Sequence, residues 1–143
     1  MAYCTIEQLR DRFGETLLID LSHRDGPRPA EPDAALFARV IADADALIDS
    51  YLKGRYQLPI AGAVPPVLTD LSLAIAIYKA HSAVAAEKIR KDFEDAVKTL
   101  KDIATGAARL DVAGAEPAAS GSSGARITDR ERPFTEQNLE GWV

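Results

Sequence analysis

Along residues 1–110 apolar side chains recur at three- and four-residue steps, the spacing that lines one face of a helix. Thr5 followed by Gln8 makes a capping box, in which each side chain satisfies a backbone N–H of the other. Ile6, Leu9 and Phe13 then share one side of a short helix, and Gly14 stops it. A second short, apolar helix is expected over residues 15–21, while three prolines and Gly26 make residues 22–32 a loop. The first long helix spans about residues 33–53, with Leu36, Val40, Leu47, Ile48, Tyr51 and Leu52 as its apolar positions and Gly54 closing it. Residues 55–64 read as a loop, and Pro65-Pro66 suits the first turn of a second long helix running to about Val84. That helix turns Leu68, Leu71, Ile75 and Tyr78 inward and is apolar around more of its circumference, which predicts a central place. The third, over residues 87–105, points Ile89, Phe93, Val97, Leu100 and Ile103 inward and ends at Gly106. No run of strand periodicity and no internal repeat occurs. The expected fold is all-α: a small domain of three long helices with one or two short N-terminal ones, plus an extended C-terminal tail.

Composition supports that reading. Of the 143 residues 25 are alanine, the best helix former and a small one, so closely packed helices fit better than a β-sandwich. The formal charge of −5 argues against a chain whose main task is gripping phosphates. A single cysteine, Cys4, excludes an intramolecular disulfide framework and a cysteine-built zinc site. No apolar run long enough to span a membrane and no secretory leader pattern are present, so a soluble, intracellular protein is expected.

Candidate chemistry is sparse. His23 and His81 stand 58 residues apart, and neither sits among residues at metal-ligand spacing. Cys4 precedes a helix N-terminus, which would stabilise a thiolate, but no base is placed to use it, so a packed thiol is expected. Asp43, Asp45 and Asp49 share the first long helix. Arg39 lies four residues before Asp43 and Lys53 four after Asp49, so the three carboxylates read as a solvated face with ordinary ion pairs. The SHRDG stretch at 22–26 lacks the carboxylate series of a calcium loop. No phosphate-binding loop, nucleophile elbow or dinucleotide fingerprint occurs. No catalytic residue, metal or cofactor is expected, and a small helical enzyme is disfavoured. In the third long helix charges of both signs alternate, pairing Glu87 with Lys91, Lys91 with Asp95 and Glu94 with Lys98. Such a face suits solvent or a contact between subunits.

The composition shifts near residue 110. Residues 111–143 carry three arginines against six acidic residues, and 113–125 (AGAEPAASGSSGA) has the make-up of a linker. The division expected is a helical domain at 1–110, a flexible linker at 111–132 and a docking segment at 133–143. That last segment, PFTEQNLEGWV, holds Phe134, Leu139, Val143 and the sole tryptophan, Trp142. Aromatic anchors flanked by polar residues on a tether are the make-up of a docking segment, although folding back on the chain's own domain is the alternative.

The chain resembles the Mu-like phage and prophage family of small structural proteins related to head-tail adaptors, also called connector or head-completion proteins. The residues that carry the likeness are TIEQLRDRFGE at 5–15, RDG at 24–26, IDSYLKGRYQLPI at 48–60 and VPPVLTDLSLAIAIYKA at 64–80. EKIRKDFEDAVKTLKDIATG at 87–106 and PFTEQNLEGW at 133–142 complete it. Two departures are the proline-rich loop after Arg24 and the low-complexity linker. The resemblance implies a virion protein of the neck, made in the host cytoplasm, that forms a ring of about twelve copies below the portal. Such a ring extends the DNA channel and presents a surface to the next neck or tail-completion protein. It implies portal docking through Phe134, Leu139, Trp142 and Val143, and Arg55, Tyr56, Arg90, Lys91, Glu94 and Lys98 as candidates for contacts between subunits. DNA would pass through without specific binding, which an acidic balance favours. A DNA-binding or packaging accessory protein is the alternative.

Overall fold

A computed structural model describes residues 2–112, and these form five α-helices and no strand. The chain is therefore all-α, as its periodicity predicts. The helices are α1 (Ile6–Phe13), α2 (Glu15–Ser22), α3 (Ala34–Leu52), α4 (Pro66–Ala80) and α5 (Glu87–Thr105).

Each start has a local cause. Thr5 caps α1 with both halves of the capping box in place, and Asp33 caps α3 by accepting from the N–H groups of Ala35 and Leu36 at 2.9 and 3.2 Å. Pro66 opens α4, where a missing N–H costs nothing. The ends differ more. Gly106 closes α5 in the left-handed conformation (φ 86°) that favours glycine, and the Arg55 guanidinium lies against it. Lys53, not Gly54, caps α3 after Leu52, and further turns follow from Leu52 O to the Arg55 and Tyr56 N–H groups.

The end of α4 corrects the expectation most. The helix stops at Ala80 rather than near Val84, and His81 is already extended (ψ 130°). Arg24, from the loop after α2, donates to Ala80 O at 3.0 Å. A cation on a terminal carbonyl is favourable at this pole of a helix, and this one comes from a residue 56 positions away.

The three long helices form an up-down-up bundle. The Arg24–Ala80 contact and the bond from Asp33 N–H to Ser22 Oγ at 2.8 Å bring the end of α4 beside the start of α3. Tyr78 near the end of α4 stacks on Phe93 near the start of α5, ring centroids 4.2 Å apart. Helix α4 is the middle member: Leu68 and every residue from Leu71 to Ile77 are buried, as is Ala80. The core joins Leu36, Phe37, Val40, Ile41, Ala44, Ile48 and Leu52 of α3 to Ala96, Leu100 and Ile103 of α5. Helices α1 and α2 cover one side through Leu9 and Leu18, and Arg12 of α1 is ion-paired with Asp70 of α4. Leu110 and Val112, at the end of the described residues, still pack against the core.

Candidate functional site

Buried polar groups come together where the N-terminal segment crosses α3 and α4. The Tyr3 N–H donates to Asp45 Oδ1 at 3.3 Å, and the Tyr3 hydroxyl donates to Asp49. Ser72 Oγ lies 3.1 Å from Asp45 Oδ1 and 3.2 Å from Cys4 Sγ. Tyr3, Cys4, Asp45 and Ser72 are all buried. The solvated-face reading of the α3 carboxylates is thus corrected: Asp45 lies inside and Asp49 is half-buried under Tyr3. Asp43 alone of the three is exposed, and among the described residues neither Arg39–Asp43 nor Asp49–Lys53 forms an ion pair.

Electrostatics assign this cluster a structural role. Burial pushes the Asp45 carboxyl up, partly offset by the Tyr3 N–H and the Ser72 hydroxyl. Burial also pushes the Cys4 thiol up, and the nearby Asp45 charge adds to it. A thiol held protonated is a poor nucleophile, so Cys4 is the packed residue expected. The Tyr3 hydroxyl is raised too, by burial first and then by its bond to Asp49. The histidines bond locally: His23 Nε2 is 2.7 Å from Gly26 O, and His81 Nδ1 is 2.8 Å from Ile77 O. Among the described residues no three His, Cys, Asp or Glu side chains are placed to hold a metal ion.

The surface is more informative than the interior. Between α3 and α5 runs a groove of about 440 Å³ with Leu47, Tyr51, Phe93 and Val97 as its apolar floor and Glu94, Lys98 and Lys101 on its rim. Val97, expected to point inward, and the apolar positions Leu47 and Tyr51 of α3 are half-buried and line this groove. Two of the subunit-contact candidates, Glu94 and Lys98, stand together here. Arg90 is exposed one turn earlier on α5, bonded to Glu94 at 3.1 Å and close to Glu87 at 4.0 Å, and Lys88 meets Asp92 at 2.7 Å. The helix pairs its charges at four-residue steps as expected, but with these partners, and Lys91 is exposed.

Arg55 and Tyr56 occupy different surroundings. Tyr56 is 3% exposed, and its hydroxyl accepts the Leu110 N–H at 3.0 Å, which places it in the packing of its own subunit rather than on an outward face. Arg55 is half-buried against Gly106. Phe134, Leu139, Trp142 and Val143 lie outside the described residues, as does nearly all of the expected linker.

A second groove, of about 650 Å³, separates residues 2–7 from the outer side of α3. Ile6, Ile41 and the alanines Ala38, Ala42 and Ala46 line it, with Glu7 and Asp49 beside them. Nothing in the sequence reading pointed to it. The signal was available in the four-residue repeat Ala34, Ala38, Ala42, Ala46, which keeps one strip of α3 low. No described helix is long and apolar enough to cross a membrane.

Comparison with known proteins agrees with the likeness seen in the motifs. The protein is 30% identical over 117 residues to the Mu-like prophage FluMu protein gp36 of Haemophilus influenzae, an overlap covering 82% of each chain. It is 31% identical over 106 residues to gene product J of Escherichia phage Mu, covering 74% of each. The sequence profile of the family described as Bacteriophage Mu, Gp36 matches residues 3–129, and the chain belongs to that family of Mu-like phage proteins.

Proposed function

We propose that this protein is a head-tail adaptor: a structural protein of the phage neck that assembles as a ring below the portal. Membership of the Mu Gp36 family supports a structural or assembly role in a phage particle. The observation that favours an adaptor within that class is where the molecule puts its polar and apolar groups. Its buried polar residues are spent on bonding the N-terminus to α3 and α4, while two apolar-floored grooves with charged rims open outward. Such a body works by contact with other proteins rather than by chemistry of its own. The ring extends the DNA channel, passes DNA without specific binding and meets the next neck or tail-completion protein. The segment 133–143 docks on the portal through Phe134, Leu139, Trp142 and Val143.

Mass-resolved chromatography of the full chain, alone and with purified portal protein, tests the reading. A complex of several copies with the portal is expected, and absence of binding at micromolar concentrations overturns it. Deleting 133–143 should leave a folded helical protein that no longer binds, whereas undiminished binding would remove the docking role. Trp142→Ala should weaken portal binding by about 2 kcal/mol or more, as an aromatic anchor does. Tight, steeply salt-dependent binding to duplex DNA would instead favour a packaging accessory protein.

A further inference from the structure

Lys98 and Lys101, on the rim of the α3–α5 groove, have no ion-pair partner among the described residues. The rim's one acid, Glu94, is already bonded to Arg90. The recess thus joins a floor of Leu47, Tyr51, Phe93 and Val97 to a surplus of positive charge. A fitting occupant brings aromatic or aliphatic side chains beside carboxylates. Segment 133–143 of this chain has that make-up: Phe134, Leu139, Trp142 and Val143 accompany Glu136 and Glu140, with no Lys or Arg. The groove under residues 2–7 offers such a segment no cation.

The chain also leaves the body at the right end. Leu110 is bonded to Tyr56, four residues past α3, and Gly106 follows α5, so the exit lies where α3 and α5 both terminate. Leu47 and Tyr51 belong to the last two turns of α3, and Lys101 stands one turn before the end of α5. From Phe93 to Thr105 the helix rises about 18 Å, at ~1.5 Å per residue, so the groove lies within that distance of the exit along the axis. Between Val112 and the segment stand the 20 residues 113–132. A flexible chain of that length and linker-like composition has an end-to-end distance of about 25 Å, which matches the span.

We propose that segment 133–143 seats in the α3–α5 groove of its own subunit until the portal takes it. The proposal rests on the portal-docking reading and gives the same anchors a second, competing seat. A tether matched to its span holds the segment at an effective concentration on the order of 1 mM. A groove affinity as weak as a Kd of ~0.1 mM then keeps about nine segments in ten seated. The portal binds only the released fraction, so its apparent affinity falls about tenfold. In the free subunit the same seat shields four large apolar side chains from water.

Trp142 is the sole tryptophan, so indole fluorescence of the full chain reads the seat directly. Without portal, the emission should be that of a buried indole, poorly quenched by acrylamide and unchanged on hundredfold dilution. Because Trp142 serves both seats, only changes on the groove side separate them. Lys98→Glu with Lys101→Glu alters two exposed side chains, so helical content should hold while the emission moves toward that of a solvated indole. That variant should bind the portal several-fold more tightly, by about tenfold at full release. Adding Glu136→Lys and Glu140→Lys to it restores opposite signs and should bury the indole again. A solvated indole in the parent chain overturns the seat, and so does burial that the groove reversal leaves unchanged. Burial lost on dilution assigns the groove to a second copy's segment and overturns the seat within one subunit. Equal portal affinity of parent and reversal variant overturns the competition. None of these results touches portal docking itself. Absence of portal binding by both the parent and the reversal variant overturns that reading, while the fluorescence still decides the seat.

Discussion

Helices α4 and α5 pack side by side yet are built on different terms. Helix α4 buries nine of its fifteen residues, Ser72 among them, and carries a single cation, Lys79, with a single acid, Asp70. Helix α5 buries only Ala96, Leu100 and Ile103 of its nineteen residues and gives most of the rest to charges of both signs. The contrast follows from position: a helix with neighbours on several sides must be apolar on several sides, and a flanking helix needs one stripe. Fold stability is therefore concentrated in α4. Helix α5 holds its place by a narrow seam and leaves a broad face outside the core.

Substitutions can break or sharpen this contrast. The largest effect is expected from Ile75→Ala at the centre of α4, where a fully buried side chain leaves a cavity. Denaturant unfolding should show a loss of about 2–5 kcal/mol, and a loss under 1 would mean that α4 is not the spine. Next comes Tyr56→Phe, which leaves the Leu110 N–H without its acceptor. A loss of about 1 kcal/mol is expected, together with faster hydrogen exchange at the Leu110 amide; unchanged exchange there would refute the latch.

Asp45→Asn probes the polar side of α4. In the folded chain the Asp45 carboxyl is raised, so folding holds its proton more tightly than the unfolded chain does. Its contribution therefore favours folding most at low pH and declines as pH rises from the unfolded value of about 4 through the raised folded value. Asparagine keeps an acceptor for the Tyr3 N–H and cannot ionise. The stability of Asp45→Asn relative to the parent should rise across that interval and then level off. A difference that shrinks as pH rises would reverse the assignment. The smallest effects belong to α5: Lys91→Ala and Lys98→Ala should each change stability by no more than about 0.5 kcal/mol. A larger loss from either would erase the distinction between the two helices.

Much of the body can be read from the chain because its causes are local. The Thr5–Gln8 capping box, the proline pair before α4 and Gly106 after α5 act within a turn or two, and the starts of α1 and α4 and the end of α5 follow from them. What escaped the reading depends on partners far along the chain. Arg24 bonds the last carbonyl of α4 from across the loop, and no glycine or proline inside VLTDLSLAIAIYKAHSAV marks the stop. Asp45 looked like one of three solvated carboxylates, although it falls between Ile41 and Ile48 on the buried stripe of α3. A carboxylate at such a step is a buried polar group in need of partners, and those partners were Tyr3 and Ser72. The grooves escaped for a related reason, since a concave surface belongs to two elements at once. Tyr56 has the polar tip of a contact residue, but only the return of the chain at Leu110 shows which way that tip is used.

The hydrogen bonds that fasten the ends of the body carry a kinetic consequence. The contacts of α4 with α3 and with α5 join consecutive helices, and such comparatively local pairings form early and fast. The bonds of Tyr3 to Asp45, Ser72 to Cys4 and Leu110 to Tyr56 join residues 42, 68 and 54 positions apart. Their loop-closure cost is met most readily once the bundle already holds their partners in place. In a mutational study of the folding transition state, Ile75 should score high while Tyr3 and Tyr56 score low, so that changes at the two tyrosines act chiefly on the rate of unfolding. The clasps at either end of the bundle would then govern how long a folded subunit lasts more than how quickly it is made.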